Sequence, residues 1–132
     1  MQAFARFLCV FAGFSLAVAV GLDAWYAHGL KTSLEAEAYE SFGRGLDQHY
    51  LLGIALLLTG WRMQRAGNRL HLIAGALFLF GLLVFCGEVY LGALGKPNLG
   101  IAPQGGMAHI LAWLVLAAAE WRAQPGRDRE QA

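Results

Sequence analysis

The sequence predicts an all-α integral membrane protein: a four-helix bundle with both termini in the cytoplasm and a short interfacial helix between its first two spans. Three observations carry that expectation. Of the 132 residues, 58% are apolar and only 14% charged, too oily a mixture for an ordinary soluble domain, where the charged share is about 25%. The apolar residues gather into four blocks, approximately 4–24, 46–62, 70–94 and 104–121, each near the roughly 20 residues that about 30 Å of hydrocarbon demands. The basic residues, finally, are shared unevenly between the connecting segments, and Lys and Arg accumulate on the cytoplasmic side.

The first block has the outline of a signal peptide, with Arg6 ahead of it and Ala17-Val18-Ala19 resembling a cleavage site. Its apolar stretch exceeds a usual signal core, so it reads as a retained helix. The segment that follows, "DAWYAHGLKTSLEAEAYESFGRGLDQHY", is the one polar piece of any size. Ser33 followed by Glu37, with a Leu34/Ala38/Phe42 spacing, predicts a short amphipathic helix lying at the outer interface and ended by Gly43 and Gly45. The second and third blocks are joined by "WRMQRAGNR", the third and fourth by "GKPNLGIAPQGG", a plain turn. Residues 1–122 are expected to form the transmembrane domain and 123–132 a disordered cytoplasmic tail. Arg6, Arg62, Arg65, Arg69, Arg122, Arg127 and Arg129 fall on one side, and Lys31, Arg44 and Lys96 on the other. That bias puts both termini on the cytoplasmic side of what is expected to be a bacterial inner membrane. Trp25, Tyr26, Tyr39, Tyr50, Trp61, Tyr90 and Trp121 fall near the expected interfaces, as an aromatic belt should.

Composition also excludes. The net charge is +1 and the basic residues are scattered, without the aromatic-interleaved patch that tracks nucleic acid. Cys9 and Cys86 lie at depths that differ by roughly 15 Å on this helix assignment, too far for a disulfide; both read as small packing residues. No phosphate loop, H-E-x-x-H or nucleophile–base spacing is present, so the chain is expected not to be an enzyme.

Helices in lipid pack through small residues, so glycine and alanine faces mark the expected interior. On the first helix that face is Gly13, Ala17, Gly21 and Ala24, extended by His28; on the second, His49, Gly53, Leu56 and Gly60; on the third, Gly81, Glu88, Gly92 and Gly95; on the fourth, Gly105, His109 and Ala112, with Trp113 beside them. Alternating helix directions bring His28, His49, Glu88 and His109 to one level in the outer half. His71 reads as an interfacial residue, and Glu120 as a snorkelling side chain or a partner of Arg122.

Ionisable groups within a bilayer cost at least about 2.5 kcal/mol, face the interior and pair with something. Two readings of the set stand beside each other. In the first, a Glu–His hydrogen-bond network, or a glutamate neutralised by burial, clamps the helices together. In the second, His28, His49, Glu88 and His109 supply a transition-metal site of zinc, copper or iron type, or Glu88 serves a proton or ion path. Haem ligation by two histidines is disfavoured, since so short a chain leaves no evident room for the macrocycle.

Four pieces of the sequence carry a family resemblance: "AHGLK" (Ala27 to Lys31), Phe42-x-x-Gly45 with Gln48 and Tyr50, "AGALFLFGLLVFCGEVYLGAL" (Ala74 to Leu94) and "LGIAPQGGMAHILAWLVLA" (Leu99 to Ala117). Together they resemble the small four-helix integral membrane proteins of the YgdD/YwdK type, an uncharacterised family of bacteria with animal relatives. The resemblance covers nearly the whole chain except its tail. It implies the same architecture and supplies no reaction. The family pattern has a small polar residue where Glu88 stands, an aromatic where His109 stands and a histidine two positions beyond His49, so that only His28 coincides with it. The sequence therefore points to an inner-membrane protein of structural or accessory, non-enzymatic role. Its expected partners are the lipid bilayer and a larger membrane complex, with no nucleic acid and no resident cofactor; metal or proton handling through the four-residue cluster is the alternative.

Overall fold

The computed structural model describes residues 1–123, and every regular element in it is helical. Helix α1 spans Gln2–His28 and is followed by a 3-10 turn at Leu30–Thr32; α2 spans Ala36–Ala66; α3 runs over Arg69–Ala93; α4 spans Ala102–Arg122. Three of these are long and apolar enough to cross a membrane: α1 with its 3-10 turn, α3 and α4. The expected second span, 46–62, does not reach that measure, because the uncharged stretch of α2 is confined to residues 48–61 and still contains Gln48, His49 and Thr59. The expected tail lies outside the described residues, Ala123 apart.

The expected interfacial helix does not form a separate element. Ala36 begins α2, which continues without a break through Gly43 and Gly45 into the apolar stretch. Both glycines are points of close approach rather than stops. A Cβ on Gly43 would lie 2.6 Å from the Tyr26 hydroxyl, and one on Gly45 would lie 2.9 Å from the Tyr90 ring. Phe42 explains why this segment stands upright: it is wholly buried, 4.7 Å from Tyr90 and 6.0 Å from both Trp25 and Tyr26, ring centre to ring centre. Tyr39 stacks on Tyr26 at 4.1 Å. Burying these rings favours docking on α1 and α3 over lying flat on an interface.

Helices adjacent in sequence pack antiparallel. Ser15 meets His49 and Tyr26 meets Gly43 across α1 and α2; Gly45 meets Tyr90 and Thr59 meets Gly75 across α2 and α3; Gly81 meets His109 and His71 meets Glu120 across α3 and α4. One core, built from Leu8, Ala12, Leu52, Leu56, Met63, Phe78 and their neighbours, joins the helices. A second, smaller cluster around Leu30, Phe42, Leu46 and Ala93 seals the end bearing the 3-10 turn. Helix α4 rests mainly along α3, presenting Gly105, Ala108, His109, Ala112 and Ala119 as a narrow buried stripe.

Two of the expected faces are misplaced. On α1, Gly13, Ala17, Gly21 and Ala24 are exposed, and a Cβ on Gly13 or Gly21 would meet nothing within 4 Å. The buried stripe is Ala5, Leu8, Ala12, Ser15 and Ala19. Alpha1 carries two small-residue faces, and its inward one is chosen by partners: Leu8 fills the space left by Gly75 and borders Gly60. On α3 a π turn at Leu82–Cys86 shifts the register. Gly81 and Glu88, on either side of this turn, are both buried, whereas Gly92 in the last turn of the helix and Gly95 beyond its end are exposed. Gly105 of α4 fits against this turn, where a Cβ would lie 2.6 Å from Phe85 N. Cys9 and Cys86 are free thiols.

Candidate functional site

The four predicted residues go to four different environments. His28, at the last position of α1, is exposed. Glu88 is buried at 7% exposure and turns toward the α3–α4 connection: its Oε1 accepts from Leu99 N at 3.0 Å and its Oε2 from Ile101 N at 3.2 Å. Both oxygens are thereby spent on backbone donors just ahead of α4, where a helix terminus leaves amides in need of acceptors. Gly100, at φ +68°, supplies the left-handed turn that lets the two flanking amides converge on one carboxylate. Glu88 is a loop fastener.

His49 lies elsewhere, as the centre of a three-helix junction. Its Nε2 is 2.8 Å from Ser15 Oγ on α1 and its Nδ1 is 3.0 Å from Tyr90 Oη on α3. Each hydroxyl can donate or accept, so either neutral tautomer satisfies the ring. This hydroxyl–imidazole pair was invisible in the sequence order. It lacks the carboxylate that orients and stabilises an imidazolium in a hydrolytic triad, since the third member is a phenol. His109 is buried at 8% exposure against Gly81 and the Phe85 ring, 5.3 Å away edge to face, with its Nε2 unpartnered among the described residues.

The expected convergence of His28, His49, Glu88 and His109 is therefore not what the fold builds. Among the described residues no three His, Cys, Asp or Glu side chains are grouped to hold a metal ion. Helical periodicity placed three of the four on buried faces correctly. It could not anticipate that each would find a hydroxyl, a backbone amide or an aromatic ring nearer than another ionisable group.

A second polar network lies at the end that bears the termini, and it corrects the expectations for His71 and Glu120. His71 is completely buried. Asn68 caps α3, its Oδ1 accepting from Leu70 N at 2.9 Å and His71 N at 3.2 Å, while His71 Nδ1 accepts from Asn68 N at 3.3 Å. Because Nδ1 accepts, Nε2 carries the proton, and it donates to Glu120 Oε1 at 2.7 Å. Arg62 Nε donates to both Glu120 oxygens, at 3.0 and 3.2 Å. Asn68 Nδ2 donates to Ala119 O at 3.2 Å. Glu120 thus pairs with α2 and α3, not with Arg122. The available signal was "GNRLH", an Asn N-cap with His at the third helical position, a capping-box spacing.

Sequence comparisons find relatives among membrane proteins. Residues 22–106 match the family described as "Protein of unknown function (DUF423)". A UPF0382 membrane protein of Haemophilus influenzae is 31% identical over 107 residues, 80% of this chain and 86% of the relative. The UPF0382 membrane protein YwdK of Bacillus subtilis is 27% identical, with 77% and 85% covered. The UPF0382 inner membrane protein YgdD of Escherichia coli is 26% identical, with 84% and 86% covered. No solved structure matches significantly. With its helices apolar enough to span a membrane and its match from the end of α1 to the start of α4, this chain belongs to the DUF423/UPF0382 family of membrane proteins, whose function is unknown.

Proposed function

We propose that the chain is a structural or accessory, non-enzymatic protein of the bacterial inner membrane, a four-helix bundle with both termini cytoplasmic that supports a larger membrane complex. One observation supports this reading above the rest: four of the six buried polar side chains, Ser15, His49, His71 and Glu88, spend their hydrogen bonds on fastening helices, whereas Thr59 and His109 Nε2 have no partner among the described residues. Ser15, His49 and Tyr90 tie α1, α2 and α3 together; Glu88 ties α3 to the loop before α4; His71 ties α3 to α4. Groups occupied in this way have little capacity left for substrate. The arginine-rich end, with Arg6, Arg62, Arg65, Arg69 and Arg122, supports the orientation through the cytoplasmic preference of basic residues. In this reading α2 crosses beside the other three, its charged first half docked on α1.

The test is elemental analysis of protein purified from the membrane, combined with reporter fusions near Glu37 and after Gln124. The expected result is no stoichiometric transition metal, an external reporter near Glu37 and a cytoplasmic one after Gln124. A stoichiometric metal lost in His49→Ala would overturn the non-enzymatic, cofactor-free reading, and an external C-terminus would overturn the orientation.

A further inference from the structure

Helix α4 lies along α3 and makes no comparable packing with α2. Between α2 and α4 this leaves a side-open groove of about 220 Å³, lined by Leu58, Thr59, Trp61, Arg62, Leu116 and Glu120. Its walls are apolar: Leu58 is 56% exposed and Trp61 50%, and Leu116 is half-buried opposite them. Since α4 is among the helices apolar enough to cross a membrane, such a groove opens onto acyl chains. Its polar groups are confined to one end, where Arg62 and Glu120 are joined at 3.0 Å and the Arg65 guanidinium stands 4.4 Å over the Trp61 ring.

Charge decides the occupant. The Glu120 carboxylate is consumed by Arg62 and His71. Among the described residues, Arg65, Arg69 and Arg122 at the same end form no ion pair. An apolar groove under a rim of unspent positive charge, flanked by an interfacial tryptophan, matches one molecule in both halves: acyl chain below, phosphodiester above. We propose that this groove is a binding site for a single anionic phospholipid, with an acyl chain along Leu58 and Leu116 and the head-group phosphate at Arg65, over the Trp61 ring and beside the closed Arg62–Glu120 pair. The proposal is independent of any accessory role, and requires only that the protein resides in a membrane.

The experiment is native mass spectrometry of the full-length protein in detergent, titrated with phosphatidylglycerol, phosphatidylcholine of the same acyl chains, or glycerol phosphate. The anionic lipid should bind in one copy, more tightly than the zwitterionic one, and glycerol phosphate should not bind. Arg65→Gln, at an exposed position outside the Arg62–Glu120 pair, should weaken phosphatidylglycerol about fivefold, the effect of one arginine near a membrane surface. Leu116→Trp, which fills the groove, should weaken both lipids while circular dichroism shows unchanged helicity. Equal affinity for the two lipids, binding of glycerol phosphate alone, or unchanged phosphatidylglycerol affinity in Arg65→Gln and Leu116→Trp would each overturn the proposal.

Discussion

The two histidine-centred networks solve the same problem in opposite ways. At the His49 junction all three members are uncharged, and His49 and Ser15 are 5% and 8% exposed. At the other end His71 is equally hidden, but its partner Glu120 has a side chain 46% exposed and Arg62 one 28% exposed. Charge is placed at the rim, where it keeps part of its hydration, and the interior receives neutral hydroxyls and a neutral ring. That division follows from cost. An uncompensated interior charge costs several kcal/mol, whereas a rim pair is cheap to keep and worth little. A histidine held by two hydroxyls from two other helices, and one held by a rim carboxylate and the N-cap amide of its own helix, should therefore respond very differently to mutation.

The largest expected effect is at the interior junction. His49→Leu leaves the Ser15 and Tyr90 hydroxyls without their partner, and should destabilise the folded state by about 2–3 kcal/mol, from two lost bonds and imperfect filling. Steric-trapping or denaturant unfolding in bicelles measures this. The comparison is sharpened by the triple variant Ser15→Ala/His49→Leu/Tyr90→Phe, which removes all the polar groups and should recover much of the loss. A triple variant as unstable as the sum of its parts would break the argument that orphaned hydroxyls carry the penalty.

Next in size is Glu88→Gln. The amide retains one acceptor oxygen for Leu99 N or Ile101 N, but its NH₂ then faces the other donor. About 1 kcal/mol should be lost, with faster hydrogen exchange confined to residues 94–101. Exchange spreading into the middle of α3 would instead place Glu88 in the helix core.

The legibility of these features follows the range of the interactions behind them. Helix number and approximate extent came from apolar block length, a local property. The buried faces of α2 and α4 were readable because each helix offers one small-residue side. Alpha1 offers two, Gly13/Ala17/Gly21/Ala24 and Ala5/Ala12/Ser15/Ala19; the choice depends on the Leu8 fit against Gly60 and Gly75, which no window of α1 contains. Gly92, one helical turn after the buried Glu88, is exposed at the end of α3, because a fixed period reports the face of a helix and not where its neighbours stop. Tyr90 was missed because it was sorted as a belt aromatic, and Ser15 was not singled out at all, although theirs are the hydroxyls bonded to His49. Glu88 and His109 were correctly read as buried, and wrongly joined, because periodicity reports depth and face but not partners.

A smaller effect is expected at the charged rim. Arg62→Gln breaks the pair with Glu120, yet Glu120 keeps His71 and partial hydration. The cost should be about 0.5 kcal/mol at low ionic strength and should shrink further in about 0.5 M salt, which screens exposed pairs. An effect as large as that of His49→Leu, and insensitive to salt, would erase the distinction between rim and interior.

An effect of the opposite sign, from none to a modest gain, is expected at Thr59, between the two networks on α2. Its hydroxyl is fully buried and has no hydrogen-bond partner among the described residues. A buried hydroxyl without a partner bears its desolvation cost with nothing in return. Valine has nearly the same shape and omits that cost, so Thr59→Val should leave stability unchanged or raise it by up to about 1 kcal/mol. The Cγ2 methyl that stands 3.6 Å from the position a Gly75 Cβ would take is retained, so packing against α3 is preserved. Unfolding measurements on this variant and on His49→Leu, made under the same conditions, set a satisfied interior group against an unsatisfied one on a single helix. If Thr59→Val destabilises by as much as about 1 kcal/mol, its hydroxyl is bonded in the membrane, and satisfaction of the interior extends along α2 from Ser15 and His49 to the arginine rim.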